Sequence, residues 1–115
     1  MDRIDLAKLL SGVGGNADRT LGMFAVLNLG IVEMLASGAL NSADATRLFF
    51  NAENCLYVRK KLRDKIADEI MSHGVELQDL FAAMPAAESQ QEFQRELQSI
   101  RSLCLQLLER HALVA

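Results

Sequence analysis

Two cysteines and two histidines, Cys55, His73, Cys104 and His111, are the side chains best suited by type to hold a metal or attack a substrate. Their spacing argues against both roles. Cys104 and His111 are seven residues apart on one predicted helix, about 10 Å along its axis, too far to share a tetrahedral zinc. Cys55 and His73 are farther apart still, and no second ligand three or four residues away supports any of the four. Each falls on an apolar stripe, so each reads as a packed core residue. A thiol in such surroundings stays protonated and inert. Paired carboxylates occur at Asp64 with Asp68 and at Glu92 with Glu96, but neither pair adjoins an apolar pocket that would raise a pKa. The glycines of Ser11-Gly12-Val13-Gly14-Gly15-Asn16 imitate a phosphate loop. No Lys-Ser or Lys-Thr follows them and no strand precedes them, so a flexible hinge is the reading. The sequence therefore predicts no catalytic residue, no cofactor and no metal site, and hence no enzyme.

A basic cluster, Arg59, Lys60, Lys61, Arg63 and Lys65, offers a nucleic-acid footprint. Asp64, Asp68 and Glu69 interrupt or follow it, no aromatic side chain interleaves to stack a base, and on a continuous helix the charges point several ways. A solvated helix face is the expectation, with nucleic acid as the alternative partner.

The totals set the frame. The chain has 115 residues, of which 50% are hydrophobic and 23% charged, a balance that excludes wholesale disorder and suits one domain spanning residues 1–115. One Pro and no Trp among many Leu and Ala favour helix over strand. A net charge of −3 gives no general attraction to nucleic acid or anionic lipid. Acids stand at the start, where a secretory signal needs bases. Two cysteines without such a signal read as reduced thiols in a cytoplasmic protein.

The element that must organise the rest is Arg19–Leu40, RTLGMFAVLNLGIVEMLASGAL, nearly free of charge until Glu33. A helix apolar nearly all round must be covered nearly all round. Its one narrow line is Gly22, Val26, Gly30, Glu33 and Ser37, which either meets water or admits a closely packed helix. The run from Thr20 to Val32 is too short to cross a bilayer, and Glu33 would lie inside the span, so no membrane association is expected. Asn16 or Asp18 can cap this helix and Gly38 can end it.

Around it the sequence predicts a short helix from Asp2 to Leu10, another from Ala43 to Phe50 capped by Asn41 or Ser42, and a turn at Asn51–Asn54. A long helix from Cys55 to His73 is stopped by Gly74, and a short one runs from Val75 to Met84. The last helix starts at a capping box, Ser89-Gln90-Gln91-Glu92, and runs to about Leu113. In it, Phe93, Leu97, Ile100, Cys104, Leu107, His111 and Val114 repeat at steps of four and three, a heptad seam that Leu103 and Leu108 widen. The fold class predicted is thus all-α: a compact bundle of about five helices, with a central helix at about 19–38 and a long amphipathic one at about 90–113.

So much apolar helix surface predicts a non-catalytic protein-interaction module that self-associates as a homodimer, with a different protein partner as a further possibility. The candidate interface residues are Gly22 and Gly30 on the central helix and Ile100, Leu103, Leu107 and His111 on the last. A small helical nucleic-acid regulator acting through residues 59–65 is the alternative, and a thiol-dependent enzyme the third.

Overall fold

The computed structural model describes residues 3–13 and 16–111. The fold is all-α. Among the described residues there are six α-helices: α1 (Leu6–Ser11), α2 (Ala17–Ser37), α3 (Ser42–Leu48), α4 (Ala52–Tyr57), α5 (Lys65–Ala83) and α6 (Ala86–Arg110). They form a body of 46 × 27 × 23 Å. The framework is three long helices, with α6 packed along both α2 and α5, while α1, α3 and α4 close one side.

Five of the six described α-helices start with one device. Asp5, Asn16, Asn41, Asn51 and Asp64 each hold an extended backbone conformation and accept, through the side chain, the backbone N–H three residues on. Such a cap satisfies an otherwise orphaned donor and contributes about 1 kcal/mol. Asn16 and Asn41 take the roles predicted for them. Asn51 does not sit in a turn, because its cap makes the next residues the first turn of α4. The helix ends are less uniform. Gly38 stops α2 in the left-handed region at φ 82°, as predicted, and only Gly adopts that conformation without strain.

The predicted helix from Cys55 to His73 is broken. A single π turn, Val58–Leu62, follows α4, and Arg63 then adopts a left-handed conformation at φ 52°. The Arg63 N–H donates to Val58 O at 3.0 Å, and the Asp64 cap restarts the chain as α5. A side chain at positive φ costs roughly 1–2 kcal/mol, which the new cap offsets. α5 then runs through Gly74 instead of stopping there. Gly74 is buried, and a Cβ at that position would fall inside the Phe50 ring. The residue read as punctuation is the notch into which Phe50 fits. Phe50 stacks edge-on against Phe49 with ring centroids 5.0 Å apart, and Phe49 lies 6.4 Å from Phe24 of α2. This aromatic row joins α2, the α3–α4 corner and α5.

Asn54 closes the same corner. It is 3% exposed, accepts the Leu6 N–H through Oδ1, and donates through Nδ2 to Ile4 O and Phe49 O. The segment leading into α1 is thereby fastened to α4.

The predicted capping box of α6 is also overturned. The helix begins four residues earlier, behind Pro85. Ser89 lies in the first turn, buried, with its hydroxyl donating to Ala86 O and its N–H to Pro85 O. A serine so engaged cannot cap. α6 ends at Arg110, with the His111 N–H donating to Leu107 O. The predicted extension beyond residue 111 and two of the hinge glycines, Gly14 and Gly15, lie outside the described residues.

Gly74→Ala is expected to destabilise the protein by about 1–3 kcal/mol, as overpacking does, although Ala is the better helix former. Chemical denaturation of Gly74→Ala and of Gly74→Ala/Phe50→Leu checks this. The smaller Leu should recover part of the loss.

Candidate interaction surface

α2 divides sharply. Leu21, Phe24, Ala25, Ile31, Val32 and Leu35 point into the core. Asn28 is buried with them, its Nδ2 donating to Phe24 O, while its Oδ1 has no partner among the described residues. The opposite side is open. Met23 is 38% exposed, Val26 44% and Met34 38%, Gly30 is exposed, and a Cβ on Gly30 would meet nothing within 4 Å. Leu27 beside them is half-buried and lines a shallow pocket with Ile4 and Leu9 of the α1 region. Leu9 and Leu105, each 50% exposed, are further open apolar positions on α1 and α6. The central helix is therefore covered on one side, not nearly all round. The physical reason lies in helix length: α1, α3 and α4 are six or seven residues each, too short to wrap a helix of 21.

The predicted interface residues separate accordingly. Gly22 is buried and Gly30 is open. Ile100 and Leu107 are fully buried within the chain and Leu103 is half-buried, so the α6 seam is core between α2 and α5 and presents little to a second copy. His111 is held internally. Its Nδ1 lies 2.5 Å from Asp18 Oδ1 in the first turn of α2, and its Nε2 lies 4.0 Å from Asp64 Oδ2 at the start of α5. It joins three helix termini.

α2 is also long and apolar enough by length and composition to cross a membrane. Its best 18-residue window has a mean hydropathy of 1.6, with 44% of the window buried in the protein. The expectation of no membrane span rests on the uncharged run from Thr20 to Val32 and on the charge of Glu33 after it; α2 itself has 21 residues, and the core helix of a soluble protein passes the same test of length and composition.

The groups with chemical potential are elsewhere. Cys104 is fully buried, and burial pushes its thiol from the ordinary 9.0 up to about 12. Cys55 is half-buried in a groove with Arg59, Asp68 and Val75. Burial pushes its thiol up, Arg59 opposes that, and Asp68 reinforces it. Both thiols are therefore poor nucleophiles at neutral pH. The sequence reading found no second ligand near any histidine, and here it missed one. His73, Glu76 three residues on, and Glu96 of α6 bring three potential ligand atoms within 4.8 Å of one another. Glu76 was visible in the sequence at helical spacing, but Glu96 was not, since only the fold brings it across. His73 Nδ1 contacts Glu96 Oε2 at 2.5 Å, so the pair ties α5 to α6. The three residues could hold a divalent ion on one face.

The basic cluster is wholly exposed. Arg59, Lys60, Lys61, Arg63 and Lys65 all face solvent, and none forms an ion pair among the described residues. The break at Arg63 turns them around a corner, where a continuous helix would have spread them along a barrel.

Two outcomes are expected for the thiols. A thiol reagent should modify Cys55 slowly in the native protein and Cys104 only on unfolding, which timed labelling with mass spectrometry checks. The folded state holds the Cys104 proton to a higher pH than the unfolded chain does. Its contribution to stability is thus fully present below about pH 9 and lost between about 9 and 12, and denaturation midpoints measured across that range should fall.

The chain belongs to the DUF3969 family, described as "Protein of unknown function", whose model matches residues 16–113. No curated protein and no solved structure matches it.

Proposed function

Taking membership of DUF3969 as the premise, we propose that the chain is a non-catalytic protein-interaction module of the cytoplasm that self-associates as a homodimer. The observation that carries this reading is the open apolar side of α2: Met23, Val26, Gly30 and Met34 are all exposed among the described residues, with half-buried Leu27 at their edge. Contiguous apolar surface of this kind marks an interaction site more often than bare solvent contact. Covering it is worth about 25 cal/mol per Å², and a twofold pair covers it with the same patch from a second copy. The raised thiols favour a non-catalytic role over a thiol-dependent enzyme.

A second reading, a nucleic-acid-associated regulator, draws on the five exposed cations of residues 59–65, which form no ion pair among the described residues. Against it stand Asp64, Asp68 and Glu69 in the same corner and the net charge of −3.

Sedimentation at micromolar concentration should give about twice the 12.7 kDa chain mass. Val26→Glu should give a folded monomer, because the substituted side chain enters solvent. Leu107→Asp should unfold the chain instead, since Leu107 is fully buried. A wild type that stays monomeric throughout would sink the proposal. For the second reading, titration of labelled duplex and single strands at physiological salt should show no micromolar affinity; a sequence-selective complex that Lys60→Glu/Lys61→Glu abolishes would put the regulator first.

A further inference from the structure

Gly30 lies inside α2 with open space above it. A glycine inside a helix weakens it, and it is tolerated where something must come close. Among the described residues nothing comes close: the space above Gly30 is open. Gly74, by contrast, has Phe50 fitted against it. The approach that Gly30 permits must come from outside.

The charges on the same side of α2 carry a second pattern. Apart from Ser37, the polar residues along that face are Arg19 and Glu33, both exposed. Each lies seven residues from Val26, one before it and one after, about 10 Å along the axis at 1.5 Å per residue. Met23 lies three residues before Val26 and Gly30 four after it. An antiparallel copy of this helix, related by a twofold axis at Val26, therefore meets opposite charge at both ends and a long flexible side chain over each open glycine. A parallel copy would set Arg19 against Arg19 and Glu33 against Glu33. Arg19 forms no ion pair among the described residues. Glu33 reaches Arg101 of α6 only at 3.7 Å, with its side chain 76% exposed, so both remain available.

Resting on the reading that the chain self-associates through α2, we propose that the occupant of this face is a second copy with α2 antiparallel to its counterpart about a twofold axis beside Val26. Met23 of each copy seats over the partner's Gly30, and Arg19 of each faces the partner's Glu33. Leu9, beside Leu27 in the shallow pocket of the α1 region, flanks the contact. Methionine suits the central seat because its unbranched side chain adapts to an irregular gap. The two ion pairs set orientation more than affinity, as exposed pairs do.

The test compares dimer dissociation constants by sedimentation for the wild type, Arg19→Glu, Arg19→Glu/Glu33→Arg and Gly30→Leu, with circular dichroism melts for each. Arg19→Glu should weaken the dimer about tenfold, since it turns two attractions into two repulsions. The double reversal should restore it to within about threefold of wild type. Gly30→Leu should fold with an undiminished melting temperature, because the added side chain enters open space, and yet lose the dimer. A dimeric wild type that Val26→Glu dissociates, but that neither Arg19→Glu nor Gly30→Leu weakens, would overturn this geometry and leave self-association standing. A monomeric wild type would overturn both. A monomer that binds phosphatidylcholine vesicles through this face would likewise overturn both, naming lipid as the occupant.

Discussion

The seating of Phe50 in the notch at Gly74 is the contact on which the arrangement of helices depends. It fixes the corner between α3 and α4 against α5 and gives the aromatic row from Phe24 to Phe50 its wall. The notch exists because one residue of α5 lacks a Cβ, and it is filled because the cap at Asn51 turns the chain immediately after Phe50. A side-chain hydrogen bond and a missing methyl group, far apart in sequence, thus set the position of one layer on the other. Asn54 then fastens α1 to the same corner with three hydrogen bonds. Buried and fully engaged, such a group specifies one geometry in a way that interchangeable apolar contacts do not.

Much of this was legible in the sequence, and the reasons it stopped are particular. The α6 stripe from Phe93 to Leu107 follows a helical period over four turns, so it declares a buried face without help. Asn16, Asn41 and Gly38 act locally, and local signals survive in a linear reading. The break after Leu62 left no signal because no Gly or Pro marks it: Arg63 takes a conformation its type disfavours, and the cap at Asp64 makes that tolerable. Gly74 misled for the opposite reason. Its type signals a stop, but the residue that explains it, Phe50, lies 24 positions away. Cover on all sides of α2 failed as an expectation because hydrophobicity states what should be buried and says nothing of whether the chain has enough helix to bury it.

The candidate site shows the same division. Gly30 was identifiable as unusual, yet its openness depends on where α1 and α6 lie. The α6 residues predicted to meet a partner are apolar for their own core. Apolar stripes on α2 and α6 look alike in sequence, and only the shortage of covering helix separates an open face from an interior. The cluster of His73, Glu76 and Glu96 is the reverse case, half visible at helical spacing and completed by a neighbouring helix.

His111 joins helix ends that carry opposite partial charge. The backbone dipoles make the starts of α2 and α5 positive and the end of α6 negative. Asp18 and Asp64 stand at the two positive ends, and the imidazole bridges them from the negative one. Fraying normally visits each helix terminus separately and cheaply. Here the last turn of α6 cannot peel away without giving up the His111 pair to Asp18 in the first turn of α2. The end of one helix and the start of another far from it in the chain thus share a tether, which makes fraying at the end of α6 costlier than at a helix end without one.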